Sequence, residues 1–421
     1  MPDESILSDE FIRELINVGE VDILVGVPTH NDARTVGQVV QAVRAGLLKY
    51  FPRARSVIIN ADGGSRDGTR DLVCAASIND TVGSNLPALR TLHSISTQYE
   101  GPPASGTALH TILAAADLLQ AKACAVISPE STSLEPEWVE RLLRPVIREG
   151  VDLVLPVYRR HKFDGMLIRN LVYPVTRAVY GCTVQEPYPS DYAFSSNLGS
   201  NFLNQDLWTQ EQGRHGTELW LTLAAIIGRY RIYQSFLGTR GRLESPPSDL
   251  VKAMRETAGL LFCSMDCYPA AWKDSREPLP APCGGCQPAV SLEPMRVNRK
   301  RLHQMFTFGI SQLEPVFSSI LSTPTHEELK RLATLPENEF ELPEPLWART
   351  VYEFAAAYHR AVIGRDHVVQ ALVPLFRGRA LTFLTENREA KESEIESNID
   401  KVCHAFEAEK PYLLQVWDGG K

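Results

Sequence analysis

The stretch Ser56-Val-Ile-Ile-Asn-Ala-Asp-Gly-Gly-Ser-Arg-Asp-Gly-Thr69 most narrows what this chain can fold into. Ser56 to Asn60 is a short β-branched run bounded by turn residues, which predicts a buried strand. Asp62 falls at the strand's carboxyl end. Gly63-Gly64 supplies a turn free to take positive φ, and Ser65 or Asp67 is placed to cap a following helix. Ligands of open α/β sheets bind outside the carboxyl ends of the strands. Asp62 therefore reads either as a ribose- or base-binding carboxylate or as part of an ordinary strand–turn–helix cap.

The same logic repeats along the chain. Asp22 to Pro28 predicts a strand, and Val36, Val39, Val40, Val43 and Leu47 recur at helical spacing after it. A helix is expected from Asp71 to Ala76, a polar loop over 79–87 and a third strand over Leu89 to His93. A Gly/Pro-rich loop, Tyr99 to Thr107, opens a helix carrying Leu109, Ile112, Leu113 and Ala116. Further strands follow at Ala123 to Ile127 and Val151 to Val157, and a helix at Met166 to Val179 that Gly181 ends. This alternation predicts an α/β fold with a parallel, doubly wound sheet. Residues 1–19 form an N-terminal segment, 20–275 the α/β domain, and 276–288 a Pro-rich linker. Residues 289–421 form an all-helical domain, with helices over Val297 to Leu321, His326 to Leu335, Glu344 to Ile363, Asp366 to Glu386 and Glu392 to Lys410.

With 44% hydrophobic and 22% charged residues and a formal net charge of −8, the 421 residues read as a globular protein that does not coat nucleic acid. The first residues lack a basic n-region, and no apolar run approaches the roughly 18 residues of a membrane span. A cytoplasmic location is expected, which also suits eight cysteines in so long a chain.

The two strand ends together resemble the opening of nucleotide-sugar glycosyltransferases with the GT-A fold, "P-x-x-N/D-E" followed by "D-x-x-S-x-D-G-T". The resemblance implies that Pro28, Thr29, Asn31, Asp32 and Asp62 hold the nucleoside of a donor sugar. Ala104-Ser-Gly-Thr-Ala-Leu109 is similar to the family's "G-K-G-x-A-L" near the donor, with Ser105 in place of lysine and Gly106 kept. A bare helix N-terminus there can also receive an anion. Where the family ends its fourth strand in Asp-x-Asp, this chain has Ser128-Pro129-Glu130. Glu130 then either ligates Mg²⁺ or Mn²⁺, a metal expected to bind weakly and mainly through the donor's own phosphates, or caps the helix near Pro136.

The middle of the chain looks most like glucosyl-3-phosphoglycerate synthases and mannosylglycerate synthase relatives. Their acceptor loop, Gly-Arg-x-Thr, corresponds to Gly165, Met166 and Ile168, without the arginine and threonine. Arg159 and Arg160, beside His161 and Lys162, either receive an anionic acceptor or form a solvated loop. Asp191 and Glu218 stand at the family's acidic positions and are implied to grip the reacting sugars, the alternative being buried caps. Arg242 replaces a metal-binding histidine and is suited to a forked contact with phosphate. The resemblance implies retaining transfer of a hexosyl unit from a nucleoside diphosphate sugar to a small hydroxylated, possibly anionic acceptor, with a homodimer as the expected assembly. The rival reading is a catalytically degenerate nucleotide-sugar binder or assembly protein of the same fold.

Cys263-x₃-Cys267 and Cys283-x₂-Cys286 have the spacing of a four-thiolate zinc site. Cys263 and Cys267 lie four apart on an amphipathic helix, however, where buried thiols are ordinary core. Free thiols are the preferred reading over zinc or a disulfide.

Overall fold

The computed structural model describes residues 7–78, 92–99, 104–205, 208, 216–240, 249–274, 278–285 and 298–419. The chain divides into two compact units, each assembled from separate stretches. The first comprises Met1–Arg159, Tyr188–Leu243 and Ala281–Val290, the second Arg160–Pro187, Glu244–Pro280 and Ser291–Lys421. The region 20–275 is thus distributed over both.

The first unit is built on one eight-stranded sheet: β1 Ile23–Thr29, β2 Ser56–Asp62, β3 Leu92–Gln98, β4 Ala123–Val126, β5 Leu153–Arg159, β6 Tyr192–Ser195, β7 Ile232–Thr239 and β8 Cys283–Gly284. The order across the sheet is β3-β2-β1-β4-β6-β5-β7-β8. Every neighbouring pair is parallel except the two made by β6, which runs antiparallel to β4 and β5. The α/β expectation, a mostly parallel sheet followed by helices, holds.

Strands β1 and β2 are almost continuously buried, as parallel strands covered on both faces must be. Helices Val36–Tyr50 and Pro136–Glu149 cover one face, where Val39, Val43, Leu142 and Leu143 pack with Val25, Val27 and Ile58. Helix Ser105–Leu118 covers the other and packs on β1 and β2.

Two details differ from expectation. The third strand is Leu92–Gln98, paired along all of β2 from Ser56↔Leu92 to Asp62↔Gln98. Its Ser94, Ser96 and Thr97 hide the apolar pattern because it is the edge strand. Within the stretch read as a linker, Cys283–Gly284 adds the eighth strand beside Gln234 and Ser235. The expected loop over 79–87 lies outside the described residues.

The second unit is helical: Tyr173–Tyr180, Leu250–Met254, Leu260–Cys267, Arg299–Gln312, Glu314–Ile320, Thr323–Ala333, Glu344–His359, Arg365–Glu386, Glu392–Ala408 and Lys410–Trp417. The helix expected from Val297 to Leu321 breaks at Leu313 because Pro315 starts a new helix. The one expected from Met166 does begin there, and passes through a π turn, Ile168–Val172, before Tyr173–Tyr180. No helix among the described residues is long and apolar enough to cross a membrane.

Gly26 sets how closely helix Ser105–Leu118 approaches β1. A Cβ there would lie 2.6 Å from Ile112 Cδ1 and 2.7 Å from its Cγ2. Ile112 is wholly buried and cannot swing aside. Gly26→Ala is therefore expected to cost about 1–3 kcal/mol by overpacking. Adding Ile112→Ala should then cost less than it does alone, a non-additivity that denaturant unfolding of the two single variants and the double variant would read.

Candidate functional site

The carboxyl ends of β1 and β2 are tied by one buried carboxylate. Asp62 is fully buried and accepts four hydrogen bonds. Its Oδ1 takes the hydroxyls of Thr29 (2.8 Å) and Ser65 (2.6 Å), and its Oδ2 the backbone N–H groups of Gly64 (3.0 Å) and Ser65 (2.8 Å). Gly64 takes φ +81°, where a side chain would be strained and would crowd Gln98 Nε2 at 3.2 Å. Asn60 Nδ2 donates to Thr29 Oγ1 at 2.8 Å, and Ser96 donates to Asn60 Oδ1 at 2.7 Å, carrying the network to β3. The carboxylate expected to face a nucleoside is here spent inside the protein. Thr29, 4% exposed, shares that role, while Pro28 continues the β1–β2 ladder opposite Ala61.

What faces outward is the next layer. Asn31 takes φ +62°; its N–H donates to Ser65 Oγ, and its Oδ1 accepts Arg66 N–H at 3.0 Å. His30 Nδ1 donates to Gly63 O at 3.2 Å, which leaves Nε2 to accept from Asn31 Nδ2 at 3.0 Å. Asp32 accepts His30 N–H at 2.7 Å, while its own N–H goes to Thr69 Oγ1. Burial holds the Asp32 carboxyl above the usual range despite the His30 bond, and the charges of Glu130 and Asp67 push the same way. Asp32 and Glu130 thus form an acidic rim across β1 and β4. Neither Pro28 nor Asp62 contributes to that rim.

On the far side of β4, Asp191 repeats the role of Asp62. It is fully buried and accepts Ser128 N–H at 2.9 Å, the Ser131 hydroxyl at 2.8 and 2.9 Å, and the Tyr158 hydroxyl. Asp191 was expected to grip a sugar, but its oxygens fix the Ser128–Ser131 turn from beneath. Ser128 Oγ accepts Glu130 N–H at 3.3 Å, and Glu130 itself is exposed. A bulge between Val157 and Tyr158, in the β5–β7 pairing, accompanies the turn of Tyr158 toward Asp191.

Arg240, just past β7, holds its guanidinium 5.5 Å from the Tyr158 ring centroid. It makes no ion pair with a described residue. Sequence reading singled out Arg242, which lies outside the described residues, and missed Arg240. The available signal was its place at the end of a strand at the ligand-binding edge of the sheet. Arg159 closes β5 opposite Thr239. Ser105 and Gly106 open helix Ser105–Leu118, whose N-cap, Ala104, makes no side-chain cap. Glu218 sits in the first turn of helix Thr217–Ile227, half-buried. Near it the Tyr192 hydroxyl is buried with no hydrogen-bond partner among the described residues, and burial together with the Glu218 charge pushes that phenol well up.

In the second unit Arg160 is 8% exposed and pairs with Glu186 at 2.8 Å and Asp164 at 3.8 Å. Gly165, at φ +66°, lies beneath its guanidinium. Arg169, not anticipated from sequence, donates to Lys162 O at 3.2 Å. Burial weakens its hold on its proton, Glu186 strengthens it and Arg160 opposes it, so the two arginines crowd each other.

Among the described residues no three His, Cys, Asp or Glu side chains gather to hold a metal ion. A hard divalent cation takes six or more oxygens, and Glu130 alone does not build that shell. Of the cysteine quartet, Cys263 and Cys267 are neighbours in the second unit, Cys283 belongs to the first, and Cys286 lies outside the described residues.

Comparison with family models finds no match, and neither does comparison with curated proteins. Among solved structures the chain is similar to glucosyl-3-phosphoglycerate synthase from Mycobacterium tuberculosis. A complex with phosphoglyceric acid is 20% identical over 62% of this chain and 85% of that one, with a TM-score of 0.42. A complex with Mn²⁺, uridine diphosphate and glucosyl-3-phosphoglycerate is 22% identical over 62% and 85%, at 0.43. A further crystal structure of the same enzyme is 24% identical over 59% and 83%, at 0.43.

Two outcomes follow from the site's own bonds. Asp62→Ala strands two backbone N–H groups and two hydroxyls, so denaturant unfolding should show a loss on the order of 3 kcal/mol; an unchanged midpoint would place the carboxylate outside the fold's framework. Asp32→Asn should do the opposite. The folded chain binds the Asp32 proton more readily than the unfolded chain, whose ordinary value is 3.8, so the ionised group costs stability above its folded pKa. The amide keeps an oxygen for His30 N–H and removes the charge. The variant should melt higher than wild type at pH 7, with the gap closing as pH falls through the raised pKa and toward 3.8. A lower melting temperature at pH 7 would show that the ionised form is the stabilising one.

Proposed function

We propose that the protein is a glycosyltransferase of the GT-A type that moves a hexosyl unit from a nucleoside diphosphate sugar to a small hydroxylated, anionic acceptor, with retention. The observation that carries this reading is one edge of the sheet. There the ends of β1 and β4 present the Asp32–Glu130 rim, while Arg240, joined to the same frame through Tyr158 and Asp191, offers a cation with no carboxylate partner among the described residues. Carboxylates and backbone groups at the β1 end suit ribose and base donors, and a lone guanidinium suits a diphosphate. The nucleoside contacts then fall to Asn31, Asp32 and the surface of the His30 loop, with Thr29 and Asp62 holding that loop in shape.

In this reading Arg240 neutralises charge on the leaving diphosphate, together with the start of helix Ser105–Leu118. Arg242 adds to it if its side chain reaches the same group. Glu218 meets the reacting sugar's hydroxyls; within the second unit, taken by itself, Arg160 and Arg169 are the cations suited to an anionic group. Mg²⁺ or Mn²⁺, entering with the donor, would find Glu130 as its protein carboxylate and would supply further neutralisation of the phosphate charge. The protein acts in the cytoplasm as a homodimer.

The test is calorimetric binding of nucleoside diphosphates and their sugars, with Mn²⁺ and with chelator, followed by turnover assays with hydroxy acids that carry or lack a phosphate. Arg240→Ala should weaken the diphosphate by about 1.5–3 kcal/mol, the worth of a charged hydrogen bond, and by less for the bare nucleoside. Equal affinity in the variant removes Arg240 from the site. Binding without turnover of any acceptor would favour the degenerate-binder reading instead.

A further inference from the structure

We propose that Cys263 and Cys267 form a reversible dithiol–disulfide site, oxidised by small disulfides, at the end of helix Leu260–Cys267. The two lie one turn apart on the same face, and their sulfurs stand 4.0 Å apart. Their environments differ in the way a two-step exchange needs. Cys267 is exposed at the last residue of the helix, whereas Cys263 is buried beneath it at 7% exposure. Burial, with Cys267 alongside, pushes the Cys263 thiol up to about 12, so Cys263 does not start the reaction.

The exposed thiol starts it. Cys267 loses its proton and attacks one sulfur of a small disulfide; that S–S bond breaks, a thiolate leaves and takes up a proton, and a mixed disulfide remains on Cys267. Cys263 then gives up its proton and attacks the Cys267 sulfur, and the second small thiol departs. Two protein thiols are oxidised and one disulfide is reduced to two thiols.

The bond so formed is strained. Helix neighbours four apart hold their Cβ atoms about 5–6 Å apart, whereas a relaxed disulfide needs roughly 3.5–4.5 Å. The last turn must tighten to close it, and it lies at the helix end, where the ladder passes from Tyr268 N–H to Ser264 O into the 3-10 turn Pro269–Ala271. Strain makes the disulfide readily reducible, hence a reversible modification rather than a structural staple. The moving turn carries Asp266, which accepts His359 Nδ1 at 2.6 Å and pairs with Arg365 at 2.6 Å. Oxidation therefore pulls on the junction between helices Glu344–His359 and Arg365–Glu386.

The experiment equilibrates the full chain in glutathione buffers of rising oxidised fraction, blocks free thiols with iodoacetamide and weighs the peptide holding both cysteines. Wild type should yield that peptide two hydrogens lighter and unalkylated, returning to the dialkylated form when the buffer is made reducing. Cys263→Ala should stop at a glutathione adduct on Cys267. Cys267→Ser, at an exposed position that leaves the core intact, should keep Cys263 reduced throughout. A wild-type peptide that stays dialkylated in the most oxidising buffer overturns the proposal. So does one that stops at the adduct, since Cys263 would then not resolve it, or a Cys263 that forms adducts in Cys267→Ser.

Discussion

The buried carboxylate of Asp62 is the constraint on which the site edge of the sheet depends. A carboxyl group with no exposure is costly unless its oxygens are hydrogen-bonded, and here two hydroxyls and two backbone N–H groups serve them. Those four bonds reach the end of β1 and the turn after β2. Through Thr29 and Asn60 they extend to Ser96 on β3. The tips of three strands therefore behave as one body. Asp191 does the same on the other side of β4, fastening the Ser128–Ser131 turn to β5 through Tyr158.

This arrangement moves the chemistry one layer outward from where the acids fall in sequence. With Asp62 and Asp191 internal, the groups left to meet a ligand are Asp32, Glu130 and Arg240, and they differ in how they are held. Burial, with the charges of Glu130 and Asp67, holds the Asp32 carboxyl above its ordinary range, so its ionised form carries a stability cost that the fold's own packing does not explain. Groups held at such a cost cluster at functional sites. Among the described residues Arg240 meets an aromatic face and no carboxylate, which suits its forked donors to a ligand.

Sequence made the strands, their order of appearance and the site edge legible, because β-branched runs ending in turn residues carry that information locally. It also held a signal for Asp62 that the family resemblance overrode. Asp followed by Gly-Gly-Ser is the pattern of a side chain that accepts backbone N–H groups two and three residues on, and Gly64 and Ser65 supply those donors. The partners from β1 could not be foreseen, since the Thr29↔Asp62 register is a property of the assembled sheet. The same holds for Asp191, whose donors lie 33 to 63 residues away. The third strand is hard to place because an edge strand need not alternate apolar and polar residues, and Arg240 is eclipsed because Arg242, two residues on, falls at the family's histidine spacing.

The division into discontinuous units has an equally specific cause. Asn170 uses its side chain and backbone at once: Nδ2 donates to Met166 O, Oδ1 accepts Arg379 Nε, and its carbonyl accepts Trp347 Nε1 at 2.7 Å. Arg379 is itself fully buried and reaches Leu342 O, Glu344 and Glu386. A guanidinium in that position is stable only with its donors met, so segment 160–187 and the C-terminal helices must fold as partners despite the two hundred or so residues between Asn170 and Arg379. The π turn Ile168–Val172, which carries both Asn170 and Arg169, is where this knot bends the backbone. The C-terminal helices therefore carry no reacting group in the proposed mechanism, yet they set the shape of the loop that presents Arg160 and Arg169.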